Sequence, residues 1–274
     1  MILRGGSEAL ASNLVLAQAM RSAAAAHGLP ADAIQIVAHP GHEAVSELLK
    51  LDRYIDVLIP RGGKPLIERV AAESRIPVLK HYDGICHLYL AADAELEMAV
   101  ALSVNSKCQR VEVCNAMETL LVDAAAAARL LPALGKAFAE RGVELRGCPR
   151  TRAILPAIAA ATEEDWAAEY LAPILAIRVV DGIDAAIDHI NTWGSGHTDG
   201  IVTASLALAD RFTAAIDSAN VLVNASTRLS GGGDYGMGAV VGISTNRLHA
   251  RGPVGAQELT TYKWVAIGQG HLRE

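Results

Sequence analysis

Apolar residues fall along this chain in short solid blocks separated by longer mixed segments. Residues 1–3 are apolar and break at Arg4-Gly5-Gly6-Ser7-Glu8, after which an alanine-rich run continues to His27. That pattern predicts a short strand and then a helix over 7–27, with Ser7 as its N-cap and Gly28-Leu29-Pro30 as its end. Further strands are predicted at 34–37, 56–59, 77–79, 86–90, 116–122, 143–146 and 174–180. Helices are predicted between them over 43–51, from the Pro60-Arg61-Gly62-Gly63-Lys64 turn to 74, over 94–104 behind Asp93 as cap, on to 141, and over 183–193. A turn at 194–200, a strand and another helix follow. A strand from 221 then ends in a polar cluster, a glycine-rich loop covers 231–238, and residues 260–267 read as a last strand able to pair with another subunit. The strands up to 77–79 are mainly apolar and do not alternate with polar residues in a period of two. Both faces of each must therefore be covered, which means a parallel sheet with helices on either side.

Composition sharpens this picture in few places. A chain of 274 residues with 51% hydrophobic and 20% charged residues can bury a sizeable core in one large or two modest domains. No apolar run approaches the ~20 residues that span a bilayer, and the amino terminus lacks a signal-peptide layout, so a cytoplasmic protein with no membrane partner is expected. A net charge of −6 leaves no broad basic face for nucleic acid. Cys86, Cys108, Cys114 and Cys148 form no CxxC pair, which fits reduced thiols, and no metal is expected.

Candidate chemistry centres on residues 105–122. Cys114 stands at the mouth of a predicted strand, near Lys107 and Arg110 in sequence, with His81 or His87 nearby if the fold brings them in. Cations beside a thiol favour its thiolate, the nucleophilic form. Glu112, two residues away, would oppose it, and a cysteine taken alone is most often a small buried hydrophobe. The two glycine pairs, Gly5-Gly6 and Gly62-Gly63, each lie between a strand end and a helix start. With Arg4, Arg61 and Lys64 beside them they suit a nucleotide's phosphates, or they simply permit tight turns. Neither matches a dinucleotide or P-loop fingerprint. His81, Asp83 and His87 invite a metal or acid–base reading, but their spacing is not that of a metal site on one helix.

Several stretches together carry a resemblance that runs the length of the chain. They are Leu3-Arg4-Gly5-Gly6-Ser7-Glu8, Ile59-Pro60-Arg61-Gly62-Gly63-Lys64, His81-Tyr82-Asp83-Gly84-Ile85-Cys86-His87, Val113-Cys114-Asn115-Ala116-Met117-Glu118-Thr119, Gly194-Ser195-Gly196-His197-Thr198, Val223-Asn224-Ala225-Ser226-Thr227-Arg228 and Leu248-His249-Ala250-Arg251-Gly252-Pro253. In these the chain resembles the gamma-glutamyl phosphate reductase family of the aldehyde dehydrogenase superfamily. The resemblance implies an α/β, aldehyde-dehydrogenase-like fold: two parallel-sheet domains with the active site in the cleft between them. It implies NADPH-dependent reduction of L-glutamyl 5-phosphate to L-glutamate 5-semialdehyde, a step of proline biosynthesis, through a thioester on Cys114. Arg4, Ser7 and Glu8 are expected near the adenosine ribose, Arg61, Gly62, Gly63 and Lys64 near the cofactor's phosphates, and Glu169 on the nicotinamide ribose. Arg110, His197, Asn224, Ser226, Thr227 and Arg228 are the candidates for gripping the glutamyl carboxylate and phosphate. A homo-oligomer is expected, with glutamate 5-kinase as the partner the pathway implies.

Departures from the family pattern bear on activity. The family is usually longer, so the chain is expected to lack the first part of its cofactor domain, including a loop that donates an asparagine to the oxyanion. The resulting division is a partial NADP-binding domain over 1–93, a catalytic domain over 94–262 and an oligomerisation strand over 263–274. Where hydrolytic aldehyde dehydrogenases carry Glu-Leu-Gly-Gly, this chain has His81-Tyr82-Asp83-Gly84, which removes the base for thioester hydrolysis. The alternatives are a non-catalytic remnant that binds nucleotide or a partner subunit, and another acyl-thioester aldehyde dehydrogenase.

Overall fold

The structure, a computed structural model, describes residues 1–39 and 41–273. They fall into two compact units, Met1–Val78 and Leu79–Glu274. In the first, strand β1 (Ile2–Leu3) pairs in parallel with β2 (Gln35–Ile36). Helices α1 (Leu10–Ala26), α2 (His42–Leu48) and α3 (Lys64–Glu73) accompany them, and Val45, Leu49 and Val70 form a small core. The strands predicted at 56–59 and 77–79 shrink to a single parallel bridge, Leu58 with Val78. Pro77 can offer that bridge only its carbonyl, which takes the Leu58 N–H at 2.9 Å.

Ser7 is not the helix cap. A 3-10 turn over Ser7–Ala9 comes first, with the Ala9 N–H on the Gly6 carbonyl and the Leu10 N–H on the Ser7 carbonyl, so the helix starts at Leu10 behind Ala9.

The second unit is built on seven parallel strands. In chain order they are β3 (Cys86–Leu90), β4 (Met117–Asp123), β5 (Glu144–Gly147), β6 (Ala159–Ala160), β7 (Ile174–Val180), β8 (Thr198–Val202) and β9 (Asn220–Val223). Across the sheet they run β6-β5-β7-β4-β3-β8-β9, every pairing parallel. Successive side chains point to opposite faces, and here both faces are core. Leu88 and Leu90 of β3, with Leu120 and Val122 of β4, join one cluster. That cluster is closed by α4 (Leu96–Cys108) and α5 (Ala124–Ala139), through Ala99, Leu130, Leu134 and Phe138. Tyr89 and Leu121 face the other cluster, closed by Ile183, Ile187 and Ile190 of α6 (Gly182–Trp193) and by Phe212 of α7 (Leu206–Ala215). Two-sided burial is why the central strands carry apolar residues on both faces.

Two predicted boundaries move. The units divide between Val78 and Leu79, ahead of the expected boundary at 93, because β3 is bonded on both edges inside the sheet, to β4 and β8. Asp93 does not cap α4 either. It accepts the Thr203 hydroxyl at 2.7 Å and the Ala204 N–H at 3.1 Å, while Glu95 takes the cap by accepting the Glu97 and Met98 N–H groups. At the carboxyl end, a short antiparallel pair, β10 (Gly242–Ser244) and β11 (Gly252–Val254), precedes residues 257–273, which hold no strand. Among the described residues none pairs with the strand expected at 260–267, and Trp264 and Ile267 stand 92% and 94% exposed.

Candidate active site

In an all-parallel sheet every strand enters from one edge, so the residues just ahead of the strands converge there. Four adjacent strands, β7, β4, β3 and β8, deliver Glu169, Cys114, Gly84 with Ile85, and Ser195 with His197. Cys114 sits in the turn between α4 and β4, closed by the Ala116 N–H on the Val113 carbonyl at 2.9 Å. Gly84 is pressed against it: a Cβ there would stand 1.9 Å from the Cys114 carbonyl oxygen. That oxygen accepts the Cys86 thiol at 3.2 Å. Burial, with Asp199 adding to it, pushes the Cys86 thiol well up, so Cys86 stays protonated and serves as a donor. Glu169 Oε1 accepts the Gly84 N–H at 2.8 Å, and Ser195 Oγ accepts the Ile85 N–H at 2.9 Å. The Gly84-Ile85 backbone is thereby tied to the segments ahead of β7 and β8, and Cys114 rests on it.

Two imidazoles complete the surroundings. Cys114 Sγ and one nitrogen each of His81 and His197 lie within 4.8 Å of one another, and the two rings meet edge to face. His197 is fully buried; burial, and then His81, lower its pKa to about 4, so it is neutral near pH 7. Arg228 also belongs here: burial lowers its pKa, while the nearby Cys114 raises it and Arg110 lowers it.

Not every expected neighbour arrives. Lys107 points away into the interior and pairs with Glu118, so it is no thiolate partner for Cys114. His87 is turned into the sheet, with Nδ1 2.8 Å from Asp199 Oδ1. Glu112 is exposed.

The candidate substrate residues divide sharply. Asn224 spends its amide on Thr203, accepting its N–H and donating to its carbonyl, each at 2.9 Å. Ser226 Oγ is buried 3.2 Å from Ser106 Oγ and accepts the Arg228 N–H. Thr227 is buried, and its hydroxyl oxygen has no hydrogen-bond partner. Arg228 donates Nε to Gln109 Oε1 at 2.9 Å and Nη1 to Asn115 Oδ1, and Arg110 is exposed. Arg228 and Arg110 thus carry the charge suited to an anion, whereas Asn224 and Ser226 hold the segment that presents Arg228.

Sequence reasoning missed Ser195, Glu118 and the Asn115–Arg228 bond. Each stands in a stretch that carries the resemblance, but the partner lies in a distant stretch, so no local pattern announces the pair.

The first unit carries Arg4, Ser7, Glu8, Arg61, Gly62, Gly63 and Lys64. Arg4 directly follows β1, and α3 begins at Lys64 behind Gly63, with no side chain capping that end. An uncapped helix start flanked by Arg61 and Lys64 is chemistry that a cofactor phosphate fits.

A profile of the aldehyde dehydrogenase family matches residues 1–165 and 146–265. The chain belongs to the aldehyde dehydrogenase family. It is similar along its whole length to the gamma-glutamyl phosphate reductase of Thermotoga maritima, at 44% identity and a TM-score of 0.97, and spans 66% of that chain. The fold is shared more widely. An acetylating aldehyde dehydrogenase from Geobacillus thermoglucosidasius matches 100% of this chain and 70% of its own, at 20% identity and TM-score 0.71. A glyceraldehyde-3-phosphate dehydrogenase from Methanocaldococcus jannaschii, complexed with NADP, matches 82% of this chain and 58% of its own, at 14% identity and TM-score 0.63.

Proposed function

We propose that this chain carries the gamma-glutamyl phosphate reductase reaction, the NADPH-dependent reduction of L-glutamyl 5-phosphate to L-glutamate 5-semialdehyde in proline biosynthesis. The observation that carries the reading is the 44% identity to a reductase of that name over 100% of the chain. The surroundings of Cys114 agree with it. The thiolate attacks the acyl carbonyl, the bond from that carbon to the phosphate oxygen breaks, and phosphate leaves behind a thioester. NADPH, when bound, supplies the hydride that lowers the acyl group to the aldehyde level. Cys114 is then released as the thiolate. Its backbone N–H is a candidate donor to the oxyanion, and Arg228 and Arg110 offer charge to the phosphate and carboxylate. Glu169 and the Arg61–Lys64 turn are the residues we assign to the cofactor, Glu169 at the nicotinamide ribose and the turn at the phosphates. Arg4, Ser7 and Glu8 are assigned to the adenosine end.

His81 stands where a hydrolytic relative carries its carboxylate base, which favours transfer to phosphate over transfer to water. Among the described residues no helix is long and apolar enough to cross a membrane. We place the protein in the cytoplasm and as a homo-oligomer; the exposed side chains of Tyr262, Trp264 and Val265 support the association. The test is the reverse reaction of the full chain. Semialdehyde, NADP and phosphate should yield NADPH absorbance that disappears without phosphate and in Cys114→Ser. A rate indifferent to phosphate, or unchanged in Cys114→Ser, would overturn the assignment.

A further inference from the structure

The two imidazoles beside Cys114 share one hydrogen-bonding pattern. His81 Nδ1 lies 3.2 Å from the carbonyl oxygen of Ile243, which can only accept. In the neutral ring Nδ1 therefore carries the proton and Nε2 the lone pair. His197 is fixed by a longer chain of bonds. Ser230 Oγ donates to the Thr227 carbonyl at 2.9 Å, so it can only receive the Thr198 hydroxyl proton at 3.0 Å. Thr198 Oγ1, its own proton committed, accepts from His197 Nδ1 at 2.8 Å. His197 Nε2 is thus a second lone pair, buried and without a hydrogen-bond partner. A buried polar atom left this way is costly unless a ligand uses it.

An imidazole whose Nδ1–H is held by a carbonyl or hydroxyl, so that Nε2 carries the lone pair, has the outer-shell support of a metal-binding histidine. A tetrahedral Zn²⁺ takes sulfur at about 2.3 Å and nitrogen at about 2.0–2.1 Å, so the three side chains, within 4.8 Å of one another, need close in by only about 1 Å. We infer that His81, Cys114 and His197 form a binding site for a borderline-soft divalent cation of the Zn²⁺ type, with water in the fourth position. On binding, the Cys114 S–H bond gives its proton to solvent and a sulfur–metal bond replaces it. The imidazoles enter neutral, and the metal keeps its oxidation state. Occupancy masks the nucleophile, so the cation acts as a reversible block on this sulfur. The three residues are far apart in sequence, and only strands β3, β4 and β8 bring them together. The inference needs no substrate: binding can hold even where the reductase reading fails, and the reverse.

The test uses Co²⁺ as the probe, titrated into the full chain under reducing, chelator-free conditions. One Co²⁺ per chain should bind with a sulfur-to-cobalt charge-transfer band, be displaced by Zn²⁺, and protect Cys114 from alkylation. The band should vanish in Cys114→Ser. His81→Asn should weaken binding at least about tenfold, and Thr198→Val, which removes the acceptor of His197 Nδ1–H, by about 10–100-fold. Absence of the band in the unmodified chain, or equal affinity in His81→Asn, would overturn the site. His81 is only half-buried, so His81→Asn decides the matter should the buried Thr198→Val variant not fold, which circular dichroism reports.

Discussion

Lys107 Nζ lies 2.5 Å from Glu118 Oε2, with the two side chains 0% and 1% exposed. Burial lowers the Lys107 pKa and raises that of Glu118 to about 7, each shift opposed by the partner's charge. Glu118 Oε1 also accepts the Leu171 N–H at 3.3 Å, and Leu171 holds a left-handed φ of 51°. The pair therefore pins, from inside the core, the segment that begins with Glu169. Removing one partner strands the other charge out of water. Lys107→Met should cost about 3–5 kcal/mol, and Lys107→Met with Glu118→Leu should recover most of it. Urea denaturation of the two single variants and the double reads the coupling; additive losses would refute it.

Gly84→Ala tests the contact beneath Cys114. The new Cβ would sit 1.9 Å from a backbone oxygen, which cannot rotate aside, so the Cys114 turn must shift. A displacement of about 1 Å at a reacting atom costs on the order of a hundredfold. We expect the phosphate-dependent rate to fall about that far while the thermal midpoint drops modestly. A fully active Gly84→Ala would show that the turn yields freely.

Asn224→Ala separates support from substrate grip. Two bonds to Thr203 would be lost, and alanine would be forced into a φ of 53°, where asparagine is tolerated. The expected loss is about 1–3 kcal/mol in stability, with the KM for semialdehyde unchanged. A raised KM at unchanged stability would return Asn224 to the substrate.

Acid should weaken the fold. Burial depresses His197 to about 4 and His189 to about 3, from 6.5 in the unfolded chain. Below 6.5 the unfolded state takes up protons that the folded state refuses, so stability is whole above that value and is lost as pH falls toward about 4. Glu118, raised to about 7, works in the opposite direction between 4.5 and about 7, one group against two. At about 1.4 kcal/mol per pKa unit, His197 alone contributes about 3 kcal/mol. Urea midpoints measured across this range should fall with acid, and the fall should be shallower in His197→Gln. An identical slope in the variant would dismiss His197 as a source.

Much of the architecture is legible in the chain. Residues 86–90, 117–122 and 174–180 read as strands buried on both faces because each carries consecutive apolar residues that fall on both faces, with only His87, Glu118, Thr119 and Arg178 interrupting, a signal contained within a few residues. Cys114 is recognisable because a turn into an apolar block is equally local. Cap residues were less legible: Asp93 and Ser7 are good caps by type, yet Glu95 and a 3-10 turn took those places through bonds set one turn away.

The residues around the sulfur were settled only in three dimensions. Lys107 and His87 are as plausible in sequence as His81 and His197, but α4 turns Lys107 inward to Glu118, and β3 turns the His87 ring to Asp199. The adjacency of β7, β4, β3 and β8 then gathers Glu169, His81 and His197 from positions far apart in the chain. Local periodicity determines which segments are strands. Strand order and side-chain direction determine what meets Cys114, and both depend on packing between distant segments, which no short window of sequence contains.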